Sequence, residues 1–258
     1  MNNTLFVGNV FIELDKVDST NNYALSLLKN TPLPIEGTAI YALEQYAGRG
    51  QRGNEWVASI GENITTSIIL YPKQLLATQQ FALSQLIALA VCNFVAERVG
   101  EGVKIKWPND IYYQNTKIGG ILIENMVTGN KLASSVVGIG LNVNQTLFDP
   151  NLPNPTSLKK ITQQHYLLND LLKQLYWHIE QQYMRLRTDN LTYIKQQYLA
   201  VLYRYNEPAW FELLIHNNEI VQAKIVDVAP NGCLILQYLD NYYAETNVFD
   251  IKEIRLLT

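Results

Sequence analysis

Three cations set among glycines are the first chemistry this chain offers. Arg49 and Arg52 stand in "QYAGRGQRGNEW", residues 45 to 56, and Lys117 opens "KIGGILIE", residues 117 to 124. Closely spaced glycines let backbone N–H groups approach a ligand, and guanidinium groups add charge-assisted donors suited to phosphate. Lys117 lies just before Gly119 and Gly120, where a strand has room for a ligand, and a lysine there supplies a compact positive charge. Asp110, which ends "KWPND" (residues 106 to 110), is a carboxylate close enough in sequence to share that place. A hairpin with exposed charges accounts for either piece alone equally well.

Gly48 to Gly53 is also a literal match to G-x-G-x-x-G. A dinucleotide-binding loop needs a strand before it and a helix opening directly after it. "TAIYALEQ" supplies the strand, but "NEWVASIGENITTSIILYP" reads as loop and then strand, with no helical period before Ile64. A kinase lid expects valine two residues past the last glycine, where this chain has Glu55. What is left is an arginine-bearing lid, expected to move between Gly48 and Ala58 until a ligand orders it.

Two more segments carry polar groups that do not suit a core. "DSTN", residues 18 to 21, is either a helix cap or a set of hydroxyls and an amide aimed at a polar heterocycle or an anion. "GIGLNVN", residues 138 to 144, puts Asn142 on a buried-looking strand, where it needs a partner such as a nucleobase edge. Trp56 either joins the core or covers a nucleobase once the lid orders. His165, His178 and His216 have no ligand spacing, so no structural metal is expected. Cys92 and Cys233 form no C-x-x-C pair and read as reduced, buried thiols.

The elements that must position these groups follow from periodicity. "VFIELDKV" alternates as a strand, "TAIYALEQ" and "NITTSIILYP" read as further strands, and "STNNYALSLLKN" reads as a helix. "ATQQFALSQLIALAVCNFVAERV" repeats apolar residues at helical spacing and is the clearest helix. Short strands "VKIKW", "DIYYQ", "IGGILIENMV" and "LASSVVGIGLNV" follow, turning at Asn115-Thr116 and Gly129-Asn130. "DPNLPNPTS" reads as a surface loop, and "QQHYLLNDLLKQLYWHIEQQYMRLR" and "LTYIKQQYLAVLYR" as helices. From about Asn206, five short alternating stretches with a turn at Asn231-Gly232 suggest a small SH3-like β-barrel. The expected fold class is α+β, with a mixed, largely antiparallel sheet and helices over residues 1–205 and the barrel over 206–258.

The 258 residues, 48% hydrophobic and 17% charged, suffice for one large domain and a small second one. A net charge of −3 weighs against a general nucleic-acid or membrane-surface binder. "MNNTLFVGNVFIELDK" has no basic start and no sustained apolar run, and the stretch around "LIALAVCNFVAERV" is too short for a membrane span. The expected location is the cytoplasm, with no membrane partner.

Taken together and in order, "DSTN", "EQYAGRGQRGNEW", "KWPND", "KIGGILIE" and "GIGLNVN" resemble the biotin–protein ligases, the biotin–[acetyl-CoA-carboxylase] ligase family. The resemblance spans residues 18 to 144 and implies a catalytic fold related to class II aminoacyl-tRNA synthetases. It implies two steps: biotin and Mg-ATP give biotinyl-5′-AMP, and a lysine of a biotin carboxyl carrier protein then takes the biotinyl group. It places biotin at Ser19, Thr20, Asn21, Gln45, the backbone of Arg49, Gly50 and Gln51, and Lys117 with Gly120. It places the adenylate at Arg49, Gln51, Arg52, Trp56, Asn109 and Asn142. Lys117 and Arg49 become catalytic, and Asp110 the acceptor of the incoming lysine's proton. Regulatory members carry an N-terminal winged helix for which "DSTN" at residue 18 leaves no room, so no DNA binding is expected. Gln51 stands where many members have arginine. A homodimer is left open, as are two rival functions: a lipoate–protein ligase and a non-catalytic biotin sensor.

Overall fold

The computed structural model describes residues 3–188, 190–215, 218–239 and 246–257. His216 lies outside the described residues. The chain begins with β1 (Phe11–Val17), α1 (Thr20–Leu27), β2 (Ala39–Gln45), β3 (Ile64–Leu70) and α2 (Phe81–Val99). There follow β4 (Val103–Lys106), β5 (Asp110–Tyr113), β6 (Thr116–Thr128) and β7 (Lys131–Leu141). The helices α3 (Leu158–Thr162), α4 (Leu168–Met184) and α5 (Leu191–Ala200) lead to β8 (Pro208–Leu213) and β9 (Glu219–Val228). The last strands are β10 (Leu234–Tyr238), β11 (Thr246–Phe249) and β12 (Ile254–Leu256).

The first seven strands form one sheet in the order β1-β2-β3-β7-β6-β5-β4. Only β1 and β2 run parallel; every other pairing is antiparallel. The mixed, largely antiparallel sheet therefore matches the expectation. β3 is buried at all seven positions because helices cover both faces of the sheet. On one side α1 sits over β2, β3 and β7 and encloses a small cluster of Ala24, Ile40, Ile69 and Val136. The large core lies on the other side, under α2 and α4.

Two readings are corrected here. Ala77–Val99 has the length and mean hydropathy of a membrane span, so its apolar stretch is not too short, but two thirds of its most apolar 18 residues are buried in the protein. The reason is that α2 contacts α4 and α5 as well as the sheet, which asks for apolar residues on more than one face. "DPNLPNPTS" is only partly a surface loop, since Thr156 and Ser157 are buried. Lys117 N–H donates to Asn154 O and Thr156 N–H to Lys117 O, both at 2.8 Å, so the end of this segment braces the start of β6. Ser157 then caps α3 by accepting from the Lys160 N–H at 3.2 Å.

Glu180 shows how the chain start is held. Its carboxylate is fully buried on α4 and accepts from the backbone N–H groups of Leu5, Phe6 and Val7 at 2.7–3.0 Å. A buried carboxylate is tolerated because these donors replace water.

The second sheet has the order β11-β10-β9-β8-β12 and is antiparallel throughout. Its β9–β10 turn docks on the large domain. Trp107 Nε1 donates to Gly232 O at 2.9 Å, and Gly232 has φ +95°. A Cβ there would press on the Phe81 ring at 2.8 Å, so the turn needs glycine for both backbone and space.

Candidate active site

One cleft of about 340 Å³ gathers nearly every candidate residue. Ser19, Thr20 and Asn21 enter from the start of α1 and Gln45 from the end of β2. The lid contributes Arg49, Gly50, Gln51, Arg52 and Trp56. Asn109 and Asp110 come from the start of β5, and Lys117 and Gly120 from the start of β6. Asn142 stands apart: it is buried, and its amide donates to Thr156 O at 2.9 Å.

At one end the cleft is a fixed network of hydroxyls and amides. Gln45 Oε1 accepts from the Thr20 N–H at 2.7 Å and from Thr20 Oγ1 at 3.0 Å. Ser67 Oγ, from β3, lies 2.8 Å from Thr20 Oγ1 and 2.6 Å from Asn21 Oδ1. Asn21 Nδ2 donates to Leu122 O at 3.2 Å and to Glu124 Oε2 at 2.8 Å. Ser19 occupies the N-cap position of α1, yet its hydroxyl makes no capping bond and lines the cleft instead.

The network continues into the lid. Glu124 takes Arg49 bidentately, Nη2 to Oε1 at 2.8 Å and Nη1 to Oε2 at 3.0 Å. Arg49 Nη1 also reaches Asn22 Oδ1 at 2.8 Å, and Asn22 Nδ2 donates to Asp18 Oδ2 at 2.6 Å. That last bond holds the Asp18 carboxyl below its ordinary range, with Arg49 adding to the effect.

At the other end are cations. Lys117 Nζ is 2.7 Å from Asp110 Oδ1, and Gly120 fits between them and the Trp56 ring. Lys106 Nζ lies 3.2 Å from Tyr112 OH; burial lowers its affinity for protons, with Asp110 opposing and Lys117 adding. The second domain supplies a further wall through Phe211, Leu214, Ile251 and Arg255. Such a cleft can hold a neutral polar ring at one end and collect two anions at the other.

Sequence reasoning missed several of these groups. Ser67 carries no local signal. Glu124 closes the "KIGGILIE" segment but drew no role, and Lys106 opens "KWPND" without one. Gly138 and Gly140 of β7 also matter: a Cβ on Gly138 would collide with Asn21 Oδ1, and one on Gly140 with the Trp56 ring. Small residues inside a strand were the available sign.

The lid is folded back on itself. Gly50 N–H donates to Asn54 O at 2.7 Å and Trp56 N–H to Gly48 O at 2.9 Å, while Arg52 sits in the left-handed region at φ 61°. Arg49 is tied to Glu124, whereas among the described residues Arg52 has only a 4.0 Å approach to Asp250. Trypsin is therefore expected to cut after Arg52 before Arg49, and biotin with ATP to slow both cuts. Equal cutting with and without these ligands would rule out a lid that orders on binding.

Residues 13–142 match the model of the "Biotin/lipoate A/B protein ligase family". The "Bifunctional ligase/repressor BirA" of Bacillus subtilis is 38% identical over 159 residues, covering 61% of this chain and 46% of the relative. The "Biotin--[acetyl-CoA-carboxylase] ligase" of Paracoccus denitrificans is 39% identical over 134 residues, 50% of this chain and 53% of the relative. The chain thus spans about half the length of these curated relatives. The solved biotin protein ligase from Aquifex aeolicus, in complex with biotin and ATP, shares the fold with a TM-score of 0.76 at 24% identity, covering 96% of this chain and 99% of that one. With the family model matching half of its length, and the cleft built from that matched region and the second sheet, the chain belongs to the biotin/lipoate A/B protein ligase family.

Proposed function

We propose that this chain is a biotin–protein ligase. It converts biotin and ATP to biotinyl-5′-AMP and passes the biotinyl group to a lysine of a biotin carboxyl carrier protein. The observation that carries this is the cleft with a hydroxyl–amide network at one end, which Arg49 joins through Glu124, and Lys106 and Lys117 at the other, with Arg52 of the lid also lining it. A ureido ring presents an acceptor between two donors, and Ser19, Thr20, Asn21 and Gln45 offer both kinds of partner. Lipoate's dithiolane has no such polar edge, which favours biotin over the lipoate reading.

In the first step the carboxylate oxygen bonds to the α-phosphorus and the bond to the β-phosphate bridge breaks, releasing pyrophosphate. Both reactants are anions, so Lys117 and the lid arginines serve by screening their repulsion as they meet. Mg²⁺ is expected to arrive on the nucleotide's phosphates, because no group of three or more His, Cys, Asp or Glu among the described residues could hold a metal. The buried indole N–H of Trp56 has no acceptor among the described residues, which suits a ring that settles against a ligand once the adenylate forms. In the second step Asp110 takes the incoming lysine's proton. A cytoplasmic location agrees with two free cysteines, of which buried Cys92 has its thiol pushed up to about 12.

Pyrophosphate release from labelled ATP tests the reading. Release is expected with biotin and not with lipoate. Equal release with lipoate, or none with either, would overturn it, the latter leaving the non-catalytic sensor.

The glycines of β7 separate the two substrates. Asn21 is pinned by Ser67, Leu122 and Glu124 and cannot yield to a methyl group on Gly138. Gly138→Ala should raise the KM for biotin by about tenfold while sparing ATP, from the loss of roughly one hydrogen bond's worth of binding. Gly140→Ala, which displaces Trp56, should do the reverse. Parallel KM changes for both substrates in both variants would count against the assigned ends of the cleft.

A further inference from the structure

The cleft has a second arm. A cavity of about 220 Å³ lies between the first turns of α2, the middle of β6 and the β9–β10 turn. It joins the main cleft along Pro108, Asn109, Ile121 and Leu122, and Gln51 of the lid lines both. Its remaining polar wall is Gln80, Ser84, Asn125 and Asn231. Among the described residues no charged side chain lines it, whereas the main arm carries five cations, Arg49, Arg52, Lys106, Lys117 and Arg255. The amides are held in place: Asn125 Nδ2 donates to Gln80 Oε1 at 3.1 Å, Ser135 Oγ to Asn125 Oδ1 at 2.6 Å, and Asn109 Nδ2 to Ile121 O at 2.7 Å.

We propose that this arm is the entrance for the acceptor lysine, the primary amine that takes the acyl group from the adenylate. The inference rests on the ligase reading above. Phosphates belong to the main arm, because an uncharged passage offers nothing to balance their charge. With the lid folded and Arg49 tied to Glu124, as here, an acceptor needs an approach that does not displace the lid. An amine must also lose its proton before it can attack. A passage lined by carboxylates would hold it as the ammonium, whereas amide and hydroxyl groups solvate its N–H donors without fixing the charge. The passage opens into the main arm at Asn109, one residue from Asp110. There the amine nitrogen bonds to the acyl carbon, the bond from that carbon to the AMP oxygen breaks, and AMP leaves with the electron pair. The surplus proton goes to the Asp110 carboxylate.

Ser84→Leu tests this by placing an isobutyl group in the arm from α2, where leucine suits the helix. Asn231→Trp fills the same space from the exposed turn on the opposite wall and covers the case in which the first variant fails to fold. Three rates are read: biotin-dependent pyrophosphate release, transfer from pre-formed adenylate to a biotin carboxyl carrier domain, and trapping of that adenylate by hydroxylamine, which is small enough for the main arm. Transfer is expected to fall by about tenfold or more, with the other two rates held within about twofold. Unchanged transfer in both folded variants would overturn the proposal. So would a matching rise in the KM for ATP, which would make the arm a nucleotide subsite. A wild-type protein that releases no pyrophosphate would instead sink the ligase reading itself.

Discussion

Lys117→Ala is expected to cut biotin-dependent pyrophosphate release by about a hundredfold or more, from the loss of about 3–4 kcal/mol of transition-state stabilisation. The fold should barely notice. What ties Lys117 into the protein is its backbone, paired with Asn154 and Thr156, and that pairing survives truncation of the side chain. The side-chain partner is Asp110, and the two are 31% and 24% exposed, so solvent screens the pair and its stability contribution is about 1 kcal/mol or less. Lys106 remains close enough to Asp110 to feel its charge and limits the cost of leaving that carboxylate unpaired. The large effect on rate and the small effect on melting together distinguish a charge needed at the phosphate from one needed for folding. Lys117→Arg should rescue poorly, because a planar fork does not replace a compact ammonium beside Gly120. A single-turnover rate for the alanine variant within about threefold of wild type would remove Lys117 from the mechanism.

Much of the scaffold was legible because its signals are local. Alternation marked β1, turn signals at Asn115-Thr116 and Gly129-Asn130 set off β5, β6 and β7, and the Asn231-Gly232 turn marked the second sheet. The candidate lid, the "KWPND" segment and Lys117 could be gathered because their residue types suit no core. What stayed hidden is long-range. Ser67 meets Asn21 across 46 residues, and Glu124 meets Asn21 across 103. Those meetings depend on β3, β7 and β6 lying side by side in the sheet, which no short window reveals. Asn142 shows the same limit from the other direction. Its need for a partner could be read from its burial, but the partner is Thr156 O, delivered by a proline- and asparagine-rich segment that composition alone marks as loop.

Glu124 is where the hidden contacts carry the most consequence. Its carboxylate accepts two bonds from Arg49 of the lid and one from Asn21 of the polar end, so one side chain ties the lid to the place assigned to biotin's ring. A glutamine there keeps the shape but turns an NH₂ toward donors that now lack an acceptor, and the charge-assisted bidentate pair is lost. Hydrogen bonds to charged groups contribute about 1.5–3 kcal/mol each, but Arg49 is 39% exposed and Glu124 25%, so screening reduces the total to about 2 kcal/mol. Glu124→Gln should then release pre-formed biotinyl-5′-AMP about thirtyfold faster than the wild type. Weaker biotin binding should accompany it, since Asn21 loses the same partner. Asn22→Ala, which removes the third acceptor of Arg49 without touching Asn21, should speed release but leave biotin affinity alone. Stopped-flow release together with equilibrium biotin binding separates these outcomes. If Glu124→Gln lets the adenylate go at the wild-type rate, the lid is held by the ligand alone, and the Arg49–Glu124 pair only organises the empty cleft.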